Sequence, residues 1–240
     1  MAGRGSDGWD VSAKAWIEVL GEDGDYGRKF VLDAPMLARV AGRGFERALD
    51  VGCGEGRFCR MLRDLGIETV GIDPTEALVA RARQLDPAAD YRIEAAETLH
   101  VPDGSFDLVV SYLSFIDIPD LARAVGMMVD ALRPGGTILV ANLTSFNTAA
   151  LPTGWVRDRD GHERFFIDRY LEERPVWVGW RGIRIQNWHR PLSAYMATFL
   201  EHELELRFFS EPAPRGGDPE IGERYRRVPW FYIMEWRKPG

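Results

Sequence analysis

The 240-residue sequence has only two cysteines, Cys53 and Cys59. Their spacing fits neither a metal knuckle nor a redox pair, and secreted chains of this size more often carry an even disulfide framework. The amino-terminal residues lack the apolar core of a signal peptide, and no apolar run is long enough to span a bilayer. We therefore expect a cytoplasmic protein without a membrane partner.

Positive charge is also scarce, with 30 Lys and Arg residues against 37 Asp and Glu and a formal net charge of −7. This balance disfavours nucleic acid as a partner, and no arginine–aromatic patch has the spacing of a known RNA module. No cluster of His, Asp or Glu shows metal-ligand spacing, so we expect no metal. A small molecule is the simplest partner, and both a monomer and a dimer remain open.

The chain from residue 47 to 143 alternates short β-rich runs with helical patterns, such as ERALDV, GRFCRMLRDLG and ETVGID. Strands that alternate with helices indicate a Rossmann-like α/β fold, a doubly wound sheet with helices on both faces. Length and a hydrophobic content of 45% predict one domain over 1–240, with the alternating strands and helices of its core at 47–143.

Residues 144–190 differ in character, because they contain four of the eight tryptophans and little helical periodicity. We interpret them as an insertion that forms a lid over the substrate site. Within it, VWVGWRGIRIQNW alternates with a period of two around Arg181-Gly182, which predicts a β-hairpin. A helix at PLSAYMATFLEHE and two strands joined by a loop, LELRFFSEP and VPWFYIMEW, follow it.

The stretch ALDVGCGEGRF places glycines at 52, 54 and 56 directly after the first predicted strand. A glycine-rich turn there lets a ligand approach bare backbone at the carboxyl edge of the sheet. A dinucleotide site shows G-x-G-x-x-G, whereas the third glycine here comes one residue early. Asp50 ends the strand and would repel a diphosphate. The pattern favours a ligand that carries positive charge and no phosphate.

The second predicted strand ends in Asp73, which is placed to accept hydrogen bonds from both ribose hydroxyls of a nucleoside. Nicotinamide and methionine-derived cofactors both carry ribose, so this acid does not separate them. An alternative role is capping of the helix that follows Pro74.

Four motifs in order, LDVGCGEGRF, VGIDPT, FDLVVSYLSFID and LRPGGTILVAN, resemble those of class I S-adenosylmethionine-dependent methyltransferases over residues 47–143. The resemblance makes 47–143 the cofactor-binding core, and it implies S-adenosylmethionine as cofactor and a seven-stranded sheet of order 3-2-1-4-5-7-6 with strand 7 antiparallel. Many relatives have an aspartate that binds the adenine amino group where this chain has Ala95. The residues that the resemblance assigns to the cofactor are Asp50, Gly52, Cys53, Gly54, Asp73, Pro74, Thr75, Ala96, Glu97, Ser111 and Tyr112.

A narrower similarity, to bacterial methyltransferases of small molecules, is carried by GDYGRKFVLDAPML, HRPLSAYMATFLE, SEPAP and RRVPWFYIMEW. It implies that Tyr26 and Arg28 hold the carboxylate of the cofactor, although Arg28 can equally be a surface arginine. Those relatives commonly have His-Pro after the fifth strand. This chain has Asn142-Leu143-Thr144 there, so a role tied to that histidine does not transfer.

Methyl transfer from a sulfonium is an in-line displacement, and a base is needed only when the bound acceptor is protonated. His189 is the first candidate base because imidazole titrates near neutrality, with a hydrogen-bonded structural histidine as the alternative. Tyr112, Asp117 and His162 come next, although Asp117 can instead begin the following helix.

These features predict transfer of a methyl group to O or N of a small metabolite, in secondary metabolism, with C-methylation open. The tryptophans of the insertion indicate an aromatic or heteroaromatic acceptor, or else packing of the lid. The alternatives are an NAD-dependent oxidoreductase, a non-catalytic binding protein on the same fold, and an RNA or protein methyltransferase.

Overall fold

The computed structural model describes residues 7–21, 23–152 and 154–240. Its central sheet has the order β3-β2-β1-β4-β5-β11-β10. The strands are β1 (Arg47–Val51), β2 (Glu68–Asp73), β3 (Asp90–Ile93), β4 (Phe106–Tyr112), β5 (Leu132–Leu143), β6 (Gly154–Arg157), β7 (Glu163–Phe166), β8 (Arg174–Trp180), β9 (Ile183–His189), β10 (Glu205–Ser210) and β11 (Phe231–Arg237). Strand β11 runs antiparallel to both β5 and β10, while the β1–β5 pairings are parallel. The predicted seven-stranded order is therefore confirmed, with β10 and β11 in the places of strands 6 and 7.

Helices flank both faces of this sheet. They are α1 (Trp9–Leu20), α2 (Asp33–Ala38), α3 (Arg57–Asp64), α4 (Glu76–Leu85), α5 (Leu121–Ala131), α6 (Ser145–Ala149), α7 (Leu192–Leu200) and α8 (Pro219–Arg227). A π-helical turn at Arg28–Leu32 precedes α2, and a 3-10 turn occupies Ala96–Thr98. None of the helices in the described residues is long and apolar enough to cross a membrane.

Two apolar clusters hold these layers together. One packs α5 and α7 on the sheet, and within it Phe199 stacks on Trp236 with the ring centroids 4.9 Å apart. The other packs α2 and α3 on the opposite face through side chains such as Met36 and Leu62. All seven residues of β4 are buried, as expected for a central parallel strand covered on both sides. Each large side chain buried in this way contributes roughly 1.5–3 kcal/mol.

The predicted hairpin is confirmed: β8 and β9 pair from Arg174↔His189 to Trp180↔Ile183. Arg181 and Gly182 have φ angles of 44° and 83°, as a type I′ turn requires. A second hairpin, β6–β7, was not predicted from the sequence. Its strands are joined by the five residues 158–162, which include Asp160-Gly161, a turn signal that could have indicated this hairpin.

The connection between β10 and β11 was predicted to be a loop, and this was wrong because it contains α8. The Asp218 side chain caps that helix by accepting hydrogen bonds from the backbone N–H groups of Glu220 and Ile221, and Pro219 occupies the first turn. An aspartate followed by proline and glutamate is a helix start signal. The glycine-rich residues just before it obscured this signal in the sequence.

Candidate active site

A cavity of about 410 Å³ opens at the carboxyl ends of β1, β2 and β4, within the size range of small-molecule sites. This cofactor cavity lies where parallel α/β sheets bind ligands. The cofactor residues proposed from the sequence that line it are Arg28, Asp50, Gly52, Cys53, Gly54, Asp73, Pro74, Thr75, Ala96, Glu97 and Tyr112. The catalytic candidate Asp117 lines it as well.

Residues 52–56 form the glycine loop at the floor of the cavity. Gly52 has a φ of 76°, and a Cβ atom there would overlap the Ser114 side chain. The backbone N–H groups of Gly52 and Cys53 donate to the carbonyl of Ile72 at 2.8 and 2.9 Å. The loop is therefore fixed to the end of β2, and only glycine fits at its first position.

Asp73 joins the glycine loop to the start of α4. Its Oδ2 accepts from the Gly54 N–H at 3.0 Å, and its Oδ1 accepts from the Thr75 N–H at 2.8 Å. Burial raises the pKa of Asp73, while the two amides oppose that rise. Each carboxylate oxygen has a second lone pair, so the group can also accept from hydroxyls in the cavity. The cap of α4 is Thr75, and Asp73 lies before it.

Asp50 is a buried carboxylate with an incomplete set of partners. Its Oδ2 accepts from the Cys59 thiol at 3.3 Å, whereas Oδ1 has no hydrogen-bond partner in residues 7–21, 23–152 and 154–240. Burial raises the pKa of Asp50 to about 7. A cationic ligand would satisfy this oxygen, and a diphosphate would meet repulsion. The site therefore fits a sulfonium or ammonium group.

A hydrogen-bonded network fixes Tyr112 in the wall of the cavity. The Tyr112 hydroxyl donates to Asp33 Oδ1 at 2.8 Å, and the Arg57 guanidinium forms two bonds to the same carboxylate at 2.9 and 2.6 Å. Burial raises the pKa of Tyr112, so the phenol stays protonated. Arg28 lies 5.9 Å from the Tyr112 ring and 5.2 Å from the Trp16 ring.

Asp117 follows β4 and is tied to the hairpin. Asn187 Nδ2 donates to Asp117 Oδ1 at 2.6 Å. Burial raises the pKa of Asp117 well above its usual range, while the side chains of Asn187 and Trp9 lower it through hydrogen bonds and the charge of Asp7 raises it further. A carboxylate of raised pKa in a cavity is a candidate proton acceptor.

Four residues singled out in the sequence lie outside the cavity. The Tyr26 hydroxyl donates to the carbonyls of Gly216 and Asp218, at 3.1 and 3.3 Å. Ser111 is buried below the glycine loop, bonded to Ser114 Oγ at 2.6 Å.

The other two of these four residues, His189 and His162, do not line the cavity either. His189 is fully buried between Thr148 Oγ1 at 2.7 Å and the Tyr170 carbonyl at 2.8 Å, and burial lowers its pKa. His162 is exposed at the turn between β6 and β7. There it lies with Asp158 and Asp160 in a group whose possible metal-ligand atoms are all within 4.8 Å of one another, a group that was not predicted from the sequence.

Two tryptophans of the cavity wall, Trp9 and Trp16, are not among the site residues predicted from the sequence, which indicated the tryptophans of the insertion instead. Both lie on α1, seven residues apart and therefore on one helix face, which is the signal that could have found them. Helix α1 is held over the cavity by the hairpin: the Gln186 N–H donates to the Asp7 carbonyl at 2.7 Å, and Ser12 Oγ donates to the Arg184 carbonyl at 3.1 Å.

Comparison with known proteins places this site in a family. Residues 49–140 match a family model described as a methyltransferase domain. The malonyl-[acyl-carrier protein] O-methyltransferase of Enterobacter lignolyticus (strain SCF1) is 34% identical over 173 residues, which span 72% of this chain and 67% of that relative. The chain belongs to the S-adenosylmethionine-dependent methyltransferases. Membership of this family means that the chain is an enzyme and that its cofactor is S-adenosylmethionine, not a nicotinamide nucleotide. The unpartnered Oδ1 of Asp50 agrees with a positively charged cofactor.

Two further methyltransferases are similar. The ubiquinone biosynthesis O-methyltransferase of Rhodopseudomonas palustris (strain BisB5) is 32% identical over 120 residues, 48% of this chain and 46% of that protein. The crystal structure of an S-adenosylmethionine-dependent methyltransferase from Mesorhizobium loti superposes with a TM-score of 0.75 at 28% identity, and the match covers 91% of this chain and 100% of that one. Because the match covers 91% of this chain, the similarity to the solved methyltransferase extends beyond residues 47–143.

Proposed function

We propose that this methyltransferase transfers a methyl group to an oxygen or nitrogen atom of a small aromatic or heteroaromatic molecule, a reaction suited to secondary metabolism in the cytoplasm. One observation carries the proposal: a hydrogen-bond acceptor, Asp117, and an aromatic surface, Trp9 and Trp16, line the same cavity as the cofactor residues. A planar acceptor can stack on an indole while its hydroxyl or amine donates to the carboxylate. The free thiols of Cys53 and Cys59 suit a reducing compartment.

Charge on the cavity wall supports a neutral or cationic acceptor over an anionic one. Asp7 and Asp117 line the cavity and disfavour a carboxylate that approaches. Arg28 and Arg57 on the same wall already pair with other carboxylates of the chain. The two relatives from Enterobacter lignolyticus and Rhodopseudomonas palustris are O-methyltransferases by name, one for malonyl-[acyl-carrier protein] and one in ubiquinone biosynthesis. Together with the tryptophans, this favours a ring hydroxyl over a malonyl carboxylate.

The residues of the site have separate tasks in the proposed reaction. S-adenosylmethionine, when bound, supplies an electrophilic methyl group on a positively charged sulfur. Asp50 offers its free oxygen to positive charge, and Asp117, oriented by Asn187, accepts the proton that the acceptor hydroxyl or amine releases as its new bond to carbon forms. In the proposed reaction, helix α1 and the β8–β9 hairpin act as the cover that excludes water, and α1 lies outside the lid expected from the sequence at 144–190.

Formation of S-adenosylhomocysteine in the presence of acceptor panels tests the proposal. The panels are phenols and catechols, hydroxylated heteroaromatics, aryl amines, aliphatic amines and a malonyl thioester of N-acetylcysteamine. We expect turnover with a ring hydroxyl or ring amine. Turnover confined to the malonyl thioester or to aliphatic amines contradicts the proposal.

Two tryptophan variants give the matched comparison. Trp16→Leu removes an aromatic surface from the cavity without removing a hydrogen-bond donor to Asp117, whereas Trp177→Leu removes one that is 40% exposed on β8 and does not line it. We expect Trp16→Leu to raise the KM for the acceptor by about tenfold, the worth of a stacked aromatic contact, and Trp177→Leu to leave it unchanged. Equal effects of the two variants would argue against stacking.

A further inference from the structure

Arg190 is a buried guanidinium that lies outside the cofactor cavity and bonds to the back of its wall. Only 3% of the residue is exposed. Its Nη1 donates to the Phe115 carbonyl at 3.2 Å, and its Nη2 donates to the carbonyls of Ile118 and Pro119 at 2.8 and 2.7 Å. One side chain therefore holds three carbonyls of the segment 115–119.

The guanidinium of Arg190 has a carboxylate partner besides these three carbonyls. Its carboxylate partner is Glu173, at 3.4 Å from Nε, and that side chain is half-exposed. The guanidinium also lies 5.0 Å from the centre of the Trp188 ring. Burial of a cation is costly unless hydrogen bonds replace its water, and here backbone carbonyls supply most of them.

Two neighbours on β9 reinforce the same attachment. The Trp188 N–H donates to the Ile116 carbonyl at 2.5 Å, and Asn187 Nδ2 donates to Asp117 Oδ1 at 2.6 Å. Asp117, Ile118 and Pro119 line the cavity on the other side of the segment. Residues 187–190 at the end of the hairpin therefore hydrogen-bond to the segment 115–119, and residues of the same segment line the cavity.

We propose that Arg190 is a positioning residue that sets the cavity wall at 115–119 and couples the β8–β9 hairpin to methyl transfer. The planar fork of arginine spans carbonyls that a single ammonium cannot reach together, so lysine is a poor substitute. The inference rests on the proposed function only in assigning the acceptor to this wall. The positioning itself concerns residues of the chain alone.

Hydrogen–deuterium exchange of the full-length protein tests the positioning without any acceptor. In Arg190→Lys, we expect exchange of the 113–119 amides to accelerate by about tenfold or more, the value of a lost charged hydrogen bond. S-adenosylhomocysteine should still bind in calorimetry, because Asp73 and the glycine loop do not contact Arg190. The matched control is Arg83→Lys, since Arg83 also donates twice to a backbone carbonyl, that of Tyr91, away from this wall.

Chemical rescue separates positioning from general stability. Millimolar guanidinium chloride, far below denaturing concentrations, should slow the 113–119 exchange of Arg190→Ala and leave that of Arg83→Ala unchanged. Wild-type exchange at 113–119 in Arg190→Lys, or an equal rise over the whole chain, would overturn the proposal. If no ring acceptor is found, the proposed function fails while this exchange pattern stays testable.

Discussion

The backbone N–H of Gly54 donates a 3.0 Å hydrogen bond to Asp73 Oδ2, so the two loops that form the cofactor cavity share one carboxylate. The other oxygen of that carboxylate accepts from Thr75 at the start of α4. Asp73 therefore has two tasks: it closes the glycine loop against the end of β2, and it presents lone pairs to the cavity. Loss of the carboxylate should disturb both at once.

Asp73→Ala should weaken the binding of S-adenosylhomocysteine by roughly 10- to 100-fold, the effect of losing hydrogen bonds to a charged group. Isothermal titration calorimetry measures it. The control is Asp90→Ala, which removes an exposed carboxylate of β3 that pairs with Arg92 and does not line the cavity. Binding of wild-type strength in Asp73→Ala would show that this acid does not contact the nucleoside.

The site residues that could be predicted from the sequence are those positioned by neighbours close in the chain, and the residues positioned by distant parts of the chain could not be predicted. Asp50, the glycine loop and Asp73 could be placed because strand ends of a parallel sheet meet at one edge, so local motifs fix their neighbours. His189 was predicted to be a catalytic base from its residue type alone. In the structure it is buried between Thr148 and Tyr170, contacts that no local sequence pattern indicates.

The place of Trp9 and Trp16 in the cavity wall could not be predicted either, because long-range contacts position them. Trp9 reaches the cavity because α1 packs on β9, which lies more than 170 residues later in the chain, as in the bond from Ser12 to Arg184. Periodicity indicates which face of α1 is apolar and does not indicate what that face covers. Tyr26 likewise was assigned to the cofactor by resemblance, while its hydroxyl bonds to the residues that precede α8.

The pKa of Asp50, raised by burial to about 7, predicts pH-dependent cofactor binding. The ionised carboxylate attracts the sulfonium of S-adenosylmethionine, so affinity should rise between about pH 6 and pH 8, by at most about tenfold per pH unit. S-adenosylhomocysteine lacks the sulfonium charge and should gain less. Calorimetry with both ligands checks this, and Asp50→Asn should remove the difference in slope. Parallel pH profiles of the two ligands in the wild type would refute the role of Asp50.

The ligand-free protein should show the converse trend in stability. The folded pKa of Asp50 lies above its ordinary value of 3.8, so its contribution to the free energy of unfolding is greatest below that value and is lost as pH rises through about 7. Denaturant titrations of the wild type and Asp50→Asn at several pH values isolate this contribution. A variant that keeps the wild-type pH dependence would contradict the assignment.

Gly52 and Gly42 form a matched pair for the steric demand of the glycine loop. Their φ angles are 76° and 72°, but a Cβ atom at Gly52 overlaps Ser114, whereas one at Gly42 meets nothing within 4 Å. Gly42→Ala should cost about 1–2 kcal/mol from the left-handed backbone alone. Gly52→Ala should cost clearly more, because Ser114 is itself held to the Val51 carbonyl at 2.6 Å. Urea unfolding measures both, and equal losses would show that the overlap is relieved at no cost.

His189 predicts a second pH effect, opposite in sign to that of Asp50. Burial lowers its pKa, and the charge of Arg174 lowers it further, so the unfolded chain binds a proton more readily than the folded one. The free energy of unfolding should therefore be unaffected by this group above its ordinary pKa of 6.5 and fall as pH drops below that value, by at most about 1.4 kcal/mol per pH unit. His189→Gln should flatten this part of the denaturation profile, while His100→Gln, at an exposed site, should not. Because His189 lies outside the cavity, its variant should bind S-adenosylhomocysteine as the wild type does. Loss of binding without loss of stability would return this histidine to the list of catalytic candidates.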